Sequence, residues 1–203
     1  TELTAAVRLQ VGRVDFANLP AFPQGERELL RQYLNKNHHF RHGRLAAQRR
    51  GLVDDHFGIL GTEAFAANGW RNFAPFFGPS NIVAGDWLSV PAGATYLWAY
   101  GCGGGTYTSA SGVANTWNLV TNDTPFVFTM LFGSYFGDWD SQNNLLRAQL
   151  ATTTYTLSCA WAGRPYWYFH HMALGETLGF AARLSQNGTY GNSLAMGMIH
   201  VAL

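Results

Sequence analysis

The sequence predicts an α/β fold, a three-layer sandwich with a mostly parallel central sheet covered by helices. Two observations carry this. Ala94–Tyr100 and Pro125–Phe132 are continuous apolar runs, as expected of strands buried on both faces. Each breaks at its carboxyl end into small residues: Gly101-Cys102-Gly103-Gly104-Gly105 after the first, Gly133-Ser134-Tyr135-Phe136-Gly137-Asp138 after the second. In addition, strand-like and helix-like segments alternate along the chain, the order that builds a parallel sheet with helices packed on it. A chain of 203 residues suits a single domain. It buries about 70% of its unfolded surface on folding, enough to need no metal or disulfide staple.

From the amino end, Val7–Phe16 alternates well enough to be a strand, interrupted at Gly12 and closed by Pro20 and Pro23. A helix is predicted over Gln24–Asn37, because Leu29, Leu30, Tyr33 and Leu34 recur at helical spacing and Glu26 and Glu28 suit its first turn. Gly51–Asp55 is a short strand ending in carboxylates, Thr62–Asn68 a short helix and Asn81–Ala84 a brief strand. Beyond the two apolar strands, Ser141 reads as the N-cap of a helix through Leu150. Tyr155–Ala160 and Pro165–Phe169 are further strands, and Ala173–Leu184 is a helix whose Gly175 and Gly179 allow close packing.

Composition narrows the function classes. Only 12% of residues are charged, while the chain carries 7 Trp, 9 Tyr and 14 Phe. A surface so poor in charge packs against something, so the expected partners are other domains of the same or a partner polypeptide, or a peptide or protein ligand. Net charge of +1 gives no footprint for nucleic acid. The arginines at 41, 44, 49 and 50 read as a solvated face. No apolar run is long enough for a membrane span. Thr1 opens the chain and an apolar run, Ile199–Leu203, ends it, which suits a piece of a longer processed polypeptide. Scarce lysine with abundant Asn, Ser, Thr and Gly has the flavour of an exported protein, secreted or held at the cell surface or in the periplasm. Cys102 and Cys159 lie far apart in sequence and are expected to be free.

Ligands of an open parallel sheet sit outside the carboxyl ends of its strands. The expected crevice is therefore lined by Gly101, Gly103, Gly104, Gly105, Gly133, Gly137 and Asp138, with Cys102 and Ser134 as candidate reactive groups. The plainer reading of the glycines is a turn without a ligand; they match no phosphate-binding fingerprint. Between glycines, Cys102 should be more exposed than a core thiol, yet nothing local would activate it. His170 and His171 follow a strand, so one of them could face the crevice as a general base; the plainer reading is a polar helix start. His38 and His42 have a zinc-compatible spacing but no third ligand, so no metal is expected. Asp138 and Asp140, near Asn143 and Asn144, are oxygen ligands of the kind calcium takes, but their spacing matches no standard loop. No cofactor is expected. Asp54-Asp55-His56 fits either a polar strand end or a turn.

Taken in order, these pieces resemble the peptidase domain of gingipain-type enzymes, which are relatives of caspases. Val11-Gly12-Arg13-Val14 resembles the family's element ahead of a long helix, and Arg50–Asp55 its next strand. Tyr96–Tyr100 with Gly101-Cys102-Gly103 resembles the strand ending in Gly-His-Gly. Phe126–Phe132 with Ser134, Gly137 and Asp138 resembles the strand that delivers the nucleophilic Cys. Gly163–Phe169 and the helix containing Glu176 resemble the family's strand and helix beyond the nucleophile. The resemblance spans about Val7 to Leu203 and implies a caspase-like fold.

Carried over position by position, the family's general-base His falls on Cys102 and its nucleophilic Cys on Ser134. A thiol is a poor substitute for imidazole as a proton shuttle, and a serine without an adjacent base is a weak nucleophile. The resemblance thus implies a catalytically degenerate module, a scaffold or interaction domain. The alternative is a cysteine peptidase with a rearranged site, Cys102 as nucleophile and His170 or His171 as base.

Overall fold

A computed structural model describes residues 6–61, 63–161, 167–187 and 201–202. Its central sheet has six strands: β1 (Gly51–Asp55), β4 (Ile82–Ala84), β5 (Tyr96–Cys102), β9 (Phe126–Phe132), β10 (Ser158–Trp161) and β11 (Val201–Ala202). They lie in the order β11-β10-β9-β5-β1-β4. All pair in parallel except the edge strand β11, which runs antiparallel to β10. Between β1 and β4 in the chain, β2 (Ile59–Leu60) and β3 (Glu63–Ala64) form a separate antiparallel pair. The two apolar runs become β5 and β9, neighbours in the middle of the sheet, with Tyr96 opposite Phe126 and Cys102 opposite Phe132.

Helices cover both faces, as the doubly apolar strands demand. On one face lie α1 (Glu26–Arg41), α3 (Thr116–Thr121) and α4 (Leu145–Ala151), whose Leu29, Leu119 and Leu146 share a core with Leu52, Ala99 and Phe126. On the other lie α2 (Ala67–Phe77), a 3-10 turn at Phe169–Leu174, and α5 (Leu178–Asn187). There Phe73, Phe169 and Ala181 pack with Val53, Trp98 and Met130. The result is a three-layer α/β sandwich.

Helix α1 starts at Glu26, two residues later than expected, and runs one turn further, to Arg41. Its two acids in the first turn and its His38, His39 and Arg41 in the last complement the helix dipole. Helix α4 is capped not by Ser141 but by Asn144, whose side chain accepts from Leu146 and Arg147 backbone N–H groups. The expected helix at Thr62–Asn68 is displaced: α2 begins at Ala67 and continues through Gly69 and Pro75. Gly69 lets the helix lie directly on Tyr100, since a Cβ there would sit 2.9 Å from that side chain.

Val7–Phe16 is not a strand. Its backbone finds side chains instead of a neighbouring strand, with Val7 bonded through both N–H and C=O to Asn187. Leu9 and Val11 point to solvent, so the alternation has no sheet to face. Arg13 stacks 3.5 Å over the Trp139 ring, Asp15 pairs with Arg13 at 2.9 Å, and buried Arg147 donates to the Ala17 carbonyl. The Val-Gly-Arg element thus ties the chain start to the loop after β9. The predicted strand Pro165–Phe169 falls partly on 162–166, outside the described residues; its end, Phe169, opens the 3-10 turn. The helix expected over Ala173–Leu184 begins later, at Leu178, because Gly175 in the left-handed region (φ 90°) closes that turn. Among the described residues no helix is long and apolar enough to cross a membrane.

Candidate functional site

The sheet's carboxyl edge is covered by a small three-stranded antiparallel sheet inserted after β5. Its strands are β6 (Gly105–Thr106), β7 (Ser109–Ala110) and β8 (Ala114–Asn115). Glycine is required here because backbones touch. A Cβ on Gly103 would lie 2.1 Å from the Ser111 carbonyl oxygen, one on Gly105 2.2 Å from that of Ser134, and one on Gly133 2.4 Å from that of Gly103. The two strand exits are therefore packed against each other, and their glycines serve close backbone approach. Gly101 points to the other face, against Val113 and Trp87, and Gly137 lies against the Trp161 ring.

Register decides what happens to Cys102. Opposite it on β1 stands Asp55, and opposite it on β9 Phe132, so all three side chains project to the face covered by α2 and α5. The thiol is 0% exposed within that apolar cluster, contrary to the exposure expected of a cysteine between glycines. It donates to Asp55 Oδ1 at 3.3 Å, and the same oxygen accepts from the Phe57 and Gly58 N–H groups at 3.0 and 2.9 Å. Burial, with the carboxylate bond adding to it, pushes the thiol up to about 12. Cys159, equally buried and free, is pushed up to about 12 by burial, which a hydrogen bond with Thr129 opposes.

Ser134 is exposed at the exit of β9. No side-chain hydrogen bond to its hydroxyl is found, so no described base activates it. Tyr135, the next residue, holds a positive φ of 69°, a strained conformation for a bulky side chain. It places its ring 5.6 Å from that of Tyr107, and both rings are largely exposed. Asp138 is exposed and sits in a turn, its N–H bonded to the Tyr135 carbonyl at 2.9 Å.

His170 and His171 lie on the 3-10 turn, half-buried, with ring centroids 4.2 Å apart. Tyr168 and Phe180 are their other ring neighbours, and burial followed by the His171 charge lowers the His170 pKa. The polar contact of Cys102 is Asp55 and not an imidazole, so the structure does not bring Cys102 and His170 together as a bonded pair. His38 and His42 are stacked 4.2 Å apart on α1. Among the described residues no three His, Cys, Asp or Glu side chains gather as a metal site.

One imidazole does reach this edge. Asp54 and His56 are two residues apart, so they share a side of the strand end. His56 Nε2 meets Asp54 Oδ1 at 2.9 Å, with the histidine 40% and the aspartate 5% exposed. Asp54 Oδ2 accepts from the Trp87 N–H at 2.8 Å. Burial raises the Asp54 pKa, opposed by that N–H and by His56. The ring packs against Gly112, at φ 80°, where a Cβ would come within 2.3 Å of it. The Asp-x-His spacing was the available signal in sequence; what sequence could not supply was Gly112, 56 positions later. A carboxylate-oriented imidazole is a competent base in form, but no hydroxyl or thiol of the described residues is hydrogen-bonded to it.

Comparison with known protein families, with curated proteins and with solved structures finds no match for this chain.

Proposed function

We propose that this chain is a catalytically degenerate gingipain-like caspase-fold domain, acting as a scaffold or interaction module of an exported protein. The observation that carries the reading is the state of Cys102. It is buried, bonded to a carboxylate and pushed up to about 12. Neither a nucleophile nor a proton shuttle near neutral pH has those properties. Ser134, at the position of the family's nucleophile, is exposed without a base. The resemblance itself is supported by β5 and β9 being central parallel neighbours whose small-residue exits pack together.

A peptide-library cleavage assay tests the reading. The expected result is no cleavage by the wild type, with circular dichroism showing a folded domain. Cleavage that disappears in Cys102→Ala, Ser134→Ala or His56→Ala but survives Cys159→Ala would overturn it and establish an enzyme with a rearranged site.

A further inference from the structure

The opposite edge of the sheet holds a cavity of about 460 Å³. It lies at the amino ends of the strands, because its walls come from α1, from Arg44 and Leu45 ahead of β1, and from Thr153 and Thr154 ahead of β10. Four cationic or titratable nitrogen side chains line it: Arg31, Lys36, His39 and Arg44. The carboxylates near them are engaged. Glu28 takes Arg31, with Nε to Oε2 at 2.9 Å, and Asp123, in the loop after α3, accepts from the Thr154 N–H at 3.0 Å. Among the described residues neither Lys36 nor Arg44 has a carboxylate within ion-pair distance.

Lys36, the only lysine of the chain, is 4% exposed. Its Nζ donates to the carbonyls of Leu150 and Thr152 at 2.7 and 2.6 Å, which caps the end of α4. An ammonium has three donors, so one remains. Besides those carbonyls the Tyr33 ring lies 5.7 Å from Nζ; a buried cation without a counter-ion is costly, and an anion beside it offsets that cost. The rest of the lining, Gln32, Asn35 and the two threonines, is polar, with Leu45 the apolar exception.

We propose that this cavity binds the oxyanion head group, carboxylate or phosphate, of a small polar molecule, held by Lys36 and Arg44. Burial pushes Lys36 down to about 7, with the Asp123 charge opposing, so the bound anion favours the protonated amine and affinity falls as pH rises through that value. Arg31, His39, Arg44, Glu28 and Asp123 are the other charged or titratable groups around Lys36.

The test is an amide-shift titration of the whole domain with sodium phosphate and, separately, sodium acetate, at constant ionic strength. Saturable shifts centred on Lys36, Arg44, Thr153 and Thr154 are expected, with affinity about fivefold to tenfold weaker in Arg44→Ala, the loss of one charge-assisted contact. Acetate keeps its charge above pH 6, so its weakening between pH 6.5 and 8.5, retained in His39→Gln, reports Lys36. Saturation by phosphate alone assigns a phosphate ligand, and by acetate alone a carboxylate. Shifts that do not saturate, that spread over the surface, or that are unchanged in Arg44→Ala overturn the proposal. Arg44 is exposed and bonds through its side chain to no described residue, so its loss leaves the fold intact and keeps the test decisive if Lys36→Met fails to fold.

Discussion

Alkylation of the two thiols by iodoacetamide across pH 7 to 10 probes the environment assigned to Cys102. A thiol raised from its ordinary 9.0 to about 12 carries about 1000-fold less thiolate at any pH below 9. With the sulfur buried as well, labelling must wait for the chain to open. The rate should then follow unfolding, accelerate in sub-denaturing urea and be similar for Cys102 and Cys159, which is also pushed up to about 12. Mass spectrometry of the labelled peptides resolves the two sites. The same shift has a thermodynamic consequence. The folded state holds the thiol proton more tightly than the unfolded state, so stability is full below pH 9 and is lost as pH rises from about 9 towards about 12. The loss is at most about 4 kcal/mol per thiol. Labelling of Cys102 that outpaces Cys159 at neutral pH, with a profile turning below pH 9, would refute the reasoning.

Lys36 carries the opposite sign. Its folded pKa is depressed to about 7 from 10.5, so between those values the unfolded state binds more protons and stability rises with pH, by up to about 1.4 kcal/mol per unit. Urea melts from pH 6.5 to 9 should show that rise in the wild type and a flatter dependence in Lys36→Met. Gly105→Ala places a Cβ 2.2 Å from the Ser134 carbonyl; since backbone must move, a destabilisation of about 3 kcal/mol is expected by chemical denaturation. Asn144→Ala removes the cap of α4 together with buried bonds to the Phe136 and Asp138 carbonyls. It should cost about 2–3 kcal/mol in the same measurement.

What was legible in the sequence is what local physics determines. Continuous apolar runs mark strands covered on both faces, and small residues at their ends mark the carboxyl edge, so β5, β9 and the sandwich could be read directly. Helical spacing and an acidic first turn marked α1. Tertiary structure decided the rest, because each remaining feature depends on partners distant in sequence. Val7–Phe16 alternates like a strand, but pairing requires a free sheet edge, and its bonds go to Asn187 instead. Glycines around Cys102 suggested exposure, but the register that sets Asp55 beside it turns the thiol into the core. The Asp54–His56 pair needed Gly112, which leaves room for the imidazole at the edge. Lys36, Arg44 and Thr153 meet only because the amino ends of β1 and β10 stand under the same helix. A residue's type and its neighbours along the chain set its periodicity; which face it turns to, and what charge it meets there, depends on strand register and packing across the sheet.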